Sequence, residues 1–202
     1  MTEAFIAQLT EHDLTEVAVH HTLRQVLGYG DALYITVESP GSYLEHRSMA
    51  NLLERFDEDG DEEKYHEISG RFLGIARALN IRLNIEPYLN VIRNVSETGY
   101  RDFVISRGSY LTALMVTKKL EHLGFTLVDS ATFIKMDARG VIDRDATKLA
   151  WQQLRVTGKL VIPSTYGSNP DKSIHICNSR TVITALAELL ASSGMYERVV
   201  IV

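Results

Sequence analysis

The stretch SIHICNSRTVITALAELLASSG, residues 173–194, reads as a short strand that hands over near Cys177-Asn178 to an amphipathic helix. In α/β proteins such a junction is a favoured place for a glycine-rich loop. There the missing Cβ atoms let backbone amides at the helix N-terminus approach a phosphate. This junction has no glycine before Gly194, at the far end of the helix. A second apolar strand, RVVIV at 198–202, follows at once. A strand–helix–strand unit places the chain among α/β proteins, and the absent glycines ask whether a phosphate site was ever there.

The same alternation runs upstream. AFIAQL (4–9) reads as a strand. Asp13 is expected to cap a helix through about Leu27, with Leu14, Val17, Val19, Leu23 and Leu27 inward and Gly28 ending it. ALYITVES (32–39) is a buried strand closed by a Pro40-Gly41 turn. Met49, Leu52, Leu53 and Phe56 mark a helix that gives way to the acidic run DEDGDEEK (57–64). Helices follow over Glu62–Leu79 and Ile85–Ser96. DFVISRGS (102–109) reads as a strand running into a turn, and YLTALMVTKKLEHLG (110–124) as a helix. FTLVDSATFIKM (125–136) adds strand material, and Asp145–Val156 a helix. GKLVIPSTYG (158–167) and KSIHIC (172–177) are strands. Parallel neighbours need helical crossovers, so the pattern implies a mostly parallel sheet covered on both faces, a three-layer αβα sandwich. There is no repeat or obvious linker, and 1–202 is expected to be one domain.

Composition narrows the function classes. With 202 residues, 45% of them hydrophobic, the chain can bury a large core. A net charge of -5 argues against a nucleic-acid or anionic-membrane surface. The single cysteine, Cys177, excludes an internal disulfide and fits a reducing compartment. MTEAFIAQLTEHD has neither a basic leader nor a long apolar run, so a cytoplasmic protein is expected.

Three strings resemble the N-terminal catalytic domain of the aspartokinases, in the amino-acid kinase family. VISRGSYLTALMVTKKLEHLGFTLVDS is similar to the family's segment with Ser-x-Gly-Glu opening a helix. GKLVIPSTYGSN resembles its strand ending in Gln-Gly-Phe-x-Gly, and CNSRTVITALAELLASSGMYERVVIV its Gly-Gly-Ser-Asp-x-Thr-Ala-Ala helix and following strand. FIAQLTEHDLTEVAVHHTLRQVL can be laid on the Lys-Phe-Gly-Gly-Thr-Ser strand and helix. The resemblance implies an amino-acid-kinase-like fold and a site for an amino acid and ATP.

The departures bear on activity. Gln8 stands at the lysine, with Leu9, Thr10, Glu11 and His12 over Phe-Gly-Gly-Thr. Glutamine donates a hydrogen bond but cannot neutralise a phosphate, and Glu11 would repel one. Ser106 and Gly108 match Ser-x-Gly-Glu, but the glutamate is Ser109. Of Gly-Gly-Ser-Asp only Ser179 matches; Cys177, Asn178 and Arg180 stand at the other places. The family continues past this strand into nucleotide-binding segments and regulatory ACT domains, whereas this sequence ends at Val202. On this resemblance the nucleotide-binding half is expected to be truncated and the phosphate grip erased.

Several residues invite sharper readings beside plain ones. His12, Glu16 and His20 at i, i+4, i+8 have metal-binding spacing, or form a solvated polar stripe; no metal is expected. His175 and Cys177 share a strand face, and the helix dipole at Ser179 would lower the thiol's pKa, making Cys177 and His175 the catalytic candidates. A buried, inert cysteine is the alternative. Ser106, Arg107, Gly108 and Ser109 read as a turn that captures a carboxylate, with Arg107 or Arg180 adding a two-pronged contact and Tyr166-Gly167 closing the pocket. N-capping by Ser109 and solvated arginines are the plain version. Asp57–Glu63 has its glycine in the wrong place for an EF-hand loop.

The expectation is therefore an aspartokinase-like protein that has lost its phosphoryl-transfer motifs and acts as a non-catalytic amino-acid-binding or partner subunit. A small amino acid or carboxylate is the expected ligand, a homo-oligomer or partner enzyme the expected assembly, and no cofactor is expected. The alternatives are an enzyme with altered chemistry on an amino acid or its acyl derivative, and a split kinase completed by another chain. The terminal RVVIV is expected to lie centrally in the sheet or against a partner, since an exposed apolar edge invites aggregation.

Overall fold

A computed structural model describes residues 3–29, 32–41, 48–156 and 158–202. Its centre is a five-stranded, wholly parallel sheet in the order β3-β4-β2-β1-β7. The strands are β1 (Glu3–Leu9), β2 (Leu33–Val37), β3 (Phe125–Leu127), β4 (Lys159–Pro163) and β7 (Arg198–Ile201). β5 (Tyr166–Ser168) and β6 (Ile174–Ile176) form a separate antiparallel ribbon.

Side-chain alternation divides the core into two layers, one on each face of the sheet. Ala7 and Leu9 of β1, with Leu33, Ile35 and Val37 of β2, face one layer. Against them pack α1 (Val19–Val26), α2 (Met49–Asp59), α3 (Glu62–Ala78), α4 (Glu86–Val95) and α5 (Arg101–Leu120). Ala4 and Ile6, with Tyr34, Leu160 and Ile162, face the other layer, made by α6 (Ser130–Phe133), α7 (Arg144–Leu154) and α8 (Ser179–Ser192). This is the expected αβα sandwich.

Within 125–136, expected as strand material, only Phe125–Leu127 is strand, and Ser130–Phe133 is the short helix α6, capped by Asp129. Two further elements differ from expectation. The segment 102–109 is not a strand and turn but the first part of α5, a single 20-residue helix. Its β-branched and turn-forming residues misled because the helix is buried on several sides, which hides its period. Ser106 donates to the Phe103 carbonyl at 2.6 Å and Thr112 to that of Gly108 at 2.8 Å, so hydroxyls and a glycine serve as small, satisfied packing surface. The second difference is at Asp13, which does not cap a helix. It turns back to accept from the amide and hydroxyl of Thr10, at 2.9 and 2.7 Å, and the helix starts only at Val19. Val17, expected inward, is 76% exposed, and Gly28 lies within a short 3-10 turn, Leu27–Tyr29.

The C-terminal strand β7 lies at the edge of the sheet. Among the described residues it pairs only with β1, and Ile201 is 54% exposed. No helix among the described residues is long and apolar enough to cross a membrane.

Candidate functional site

In a parallel sheet the carboxyl ends of all strands lie on one side, and the crevice outside them is where α/β proteins bind ligands. Here that edge brings together Gln8 near the end of β1, Glu38-Ser39 just past β2, Ser164-Thr165 just past β4, and the N-terminus of α8. Asn178 caps α8 by accepting from the Arg180 amide at 2.8 Å.

Glu38 is the hub. Its Oε1 accepts from Gln8 Nε2 at 2.9 Å and from Ser179 Oγ at 2.5 Å, and its Oε2 from the Glu11 amide at 3.2 Å. Gln8 also reaches Ser179 Oγ at 3.3 Å. Gln8 therefore sits beside the α8 N-terminus and spends its amide on a carboxylate of the chain.

Two clefts flank Ser179. The larger, about 580 Å3, is lined by Gln8, Arg144, Asn178, Ser179, Arg180 and Thr181 among others. Arg180 is exposed there, and Arg144 is paired with Glu188 at 3.1 Å. The smaller, about 260 Å3, holds the acidic and hydroxyl side chains Glu11, Glu38, Ser39, Thr165 and Ser179, with Ala50, Ile105, Ile176 and Cys177 as apolar wall.

The residues expected to form a carboxylate-capturing turn are placed differently. Ser106, Arg107, Gly108 and Ser109 lie inside α5, where backbone amides already donate along the helix, so they form no amide nest. Ser109 is buried and shares a hydrogen bond with Thr165 Oγ1 at 2.7 Å. Arg107 donates to Ser106 Oγ at 3.0 Å, with its guanidinium 4.3 Å from the Phe103 ring centre and 4.5 Å from that of Tyr110. Tyr166 is fully buried with its hydroxyl on Asp129 at 2.9 Å, and Gly167 packs on Ile134 and Met136. Neither lines the two clefts.

Cys177 does reach the smaller cleft, but the thiol is not activated. Burial pushes its pKa up to about 12, outweighing the helix-dipole effect expected from sequence. His175 points elsewhere, its Nδ1 3.9 Å from Asp102 and its ring against Gly140. The strand alternation that paired His175 with Cys177 ends at Ile176, so the two do not converge on one cleft. His12 and Glu16 precede α1 and do not share a helix face with His20. Among the described residues no group of three or more His, Cys, Asp or Glu is arranged to hold a metal ion. In the acidic run, Gly60 ends α2 in a left-handed conformation (φ 62°) and Asp61 caps α3.

Sequence reasoning missed Glu38, Ser39, Thr165 and Arg144. A signal existed for the first two, since a polar pair directly after the buried run LYITV marks a strand's carboxyl end.

No family model and no curated protein sequence matches the chain. Solved structures do. Aspartate kinase of Clostridium acetobutylicum superposes with a TM-score of 0.80 at 20% identity, over 96% of this chain and 46% of that one. Aspartokinase III of E. coli, in complex with aspartate and ADP, gives 0.78 at 18% identity, over 98% and 48%. The same enzyme with lysine and aspartate gives 0.77 at 17%. The fold is aspartokinase-like. At these identities the likeness is one of fold alone, and the chain spans about half the length of the aspartate kinases it matches.

Proposed function

We propose that this aspartokinase-like chain does not grip a triphosphate by itself and works by binding, as a non-catalytic subunit that takes a small amino acid or carboxylate at the clefts around Ser179. The observation that carries this reading is Glu38. A carboxylate fixed by Gln8 and Ser179 stands at the sheet's carboxyl edge, with Glu11 beside it. Phosphoryl transfer needs cations and backbone amides aimed at the transferring group. Here Gln8 and Ser179 are already committed to Glu38, so a phosphate brought to Gln8 meets a carboxylate instead of a lysine.

The inert environment of Cys177 supports a binding role over a nucleophilic one. Isothermal titration with ATP and magnesium tests the proposal: no heat of binding is expected up to millimolar nucleotide, and micromolar affinity overturns it.

A further inference from the structure

Resting on the binding role just proposed, we infer that the smaller cleft selects a ligand by its ammonium group, so that a small aliphatic amine is its proper occupant and a free carboxylate is rejected there. Two carboxylates, Glu11 and Glu38, line this cleft, and among the described residues no lysine, arginine or histidine does. The basic residues of the neighbourhood, Arg144 and Arg180, line the other cleft, across Ser179. A carboxylate entering the smaller cleft would be desolvated beside like charges, and among the described residues no cation lines the cleft to receive it; His12, 3.9 Å from Glu11, stands outside the lining. An ammonium meets the opposite situation.

Glu38 retains capacity for such a guest. An ionised carboxylate offers about four lone-pair positions. Gln8 and Ser179 occupy two on Oε1, and the Glu11 amide takes one on Oε2 at 3.2 Å, which leaves Oε2 a further acceptor site.

The second, independent sign is Ser39. It lines the cleft, is only 8% exposed, and its hydroxyl has no hydrogen-bond partner among the described residues. α5 approaches this hydroxyl so closely that a Cβ at Gly108 would fall 2.3 Å from Ser39 Oγ. A hydroxyl held against a glycine and facing a cleft is placed to accept from a guest. An ammonium has three donors, which Glu38 Oε2, Ser39 and a hydroxyl of Thr165 or Ser179 can receive. Ala50, Ile105, Ile176 and Cys177 then cover a short apolar body, and about 260 Å3 restricts that body to a few heavy atoms.

The experiment titrates the full chain at pH 7 with propylamine, alaninamide, propionate and aspartate, read by calorimetry and by amide chemical shifts. Propylamine and alaninamide are expected to bind at least tenfold more tightly than propionate, with shifts centred on Glu38, Ser39 and Thr165. Glu38→Gln is expected to weaken the amines about tenfold or more, in line with a lost charge-assisted bond. Because Glu38 also holds Gln8 and Ser179, Ser39→Ala serves as the second variant. Among the described residues its hydroxyl holds no other side chain or carbonyl, so the fold should be unchanged while amine affinity drops several-fold. Binding of propionate or aspartate at these residues in preference to the amines overturns the inference and leaves the proposed binding role standing. Amine binding unaffected by both variants overturns it too, as does the absence of amine binding. Tight ATP binding, by contrast, strikes the proposed function.

Discussion

The side-chain amide nitrogen of Gln8 lies 2.9 Å from Glu38 Oε1, which ties the residue that the sequence resemblance lays on a lysine to a carboxylate just past the neighbouring strand. The pair makes a simple prediction about reversal. Gln8→Lys alone should not create an ATP site, because the new ammonium will be neutralised by Glu38, an opposite charge within direct contact. Titration of Gln8→Lys with ATP and magnesium should show no binding. Micromolar affinity in that single variant would mean that Glu38 does not control the charge at this edge.

Cys177 supplies a chemical test of the same region. Burial raises its thiol to about 12, so roughly one thiol in ten thousand is ionised at pH 8. Iodoacetamide should therefore alkylate the folded protein far more slowly than the chain in denaturant, by a factor of 100 or more. The linkage has a definite sign. The folded-state pKa lies above the unfolded one, so the protonated thiol's contribution is whole below about pH 9 and is lost as pH rises toward 12. Rapid labelling of the native protein at pH 8 would restore Cys177 as a nucleophile candidate.

How much of this was legible in the sequence differs by element. β1, β2, β4, β7 and α8 were readable because each is a clean apolar run bounded by polar or turn residues. The first turns of α5 were not, because Val104-Ile105 reads as strand and Ser106–Ser109 as turn, while only packing against α2 and the sheet favours the helix. For the site, Ser179, Arg180 and Cys177 drew attention because they sit at a recognisable strand-to-helix junction, and Gln8 through the family resemblance. Glu38, Ser39 and Thr165 were not, since Glu38 meets Ser179 across 141 residues through a strand order that no local pattern specifies. The reading of Arg107 and Tyr166 as a ligand clamp missed that a cationic group beside aromatic rings can stack on its own helix.

Gly108 tests the packing beneath the smaller cleft. On helix propensity alone, Gly108→Ala should stabilise α5 by about 1 kcal/mol. The new Cβ, however, would lie 2.3 Å from Ser39 Oγ, 3.0 Å from Ser39 Cβ and 3.2 Å from Leu53 Cδ1, with both neighbours buried. Overpacking of this kind costs typically 1–3 kcal/mol, about the propensity gain or more. The expected outcome is a lowered melting temperature with unchanged far-ultraviolet circular dichroism. A raised melting temperature would show that Ser39 yields freely and that α5 does not press on the cleft.

Asp57, on the inner side of α2, provides a pH prediction away from the site. Its carboxyl is buried and Oδ1 has no hydrogen-bond partner among the described residues. Burial holds its pKa above the usual carboxylate value, against the amide of Glu97 that pulls it down, while the charges of Glu58 and Glu97 push the same way as burial. The folded state therefore binds the proton more tightly than the unfolded chain does. The favourable contribution is whole at pH below the unfolded value and is lost as pH rises through the folded one, where ionisation leaves a poorly satisfied carboxylate. Asp57→Asn removes that charge while keeping an acceptor for the Glu97 amide. The variant should be more stable than the parent at pH 7, on the order of 1 kcal/mol. The difference should shrink as pH falls toward about 4. Thermal melts of both proteins across that range measure it, and a gap that is constant with pH, or a less stable variant at pH 7, would rule out a buried charge at Asp57 as the cause.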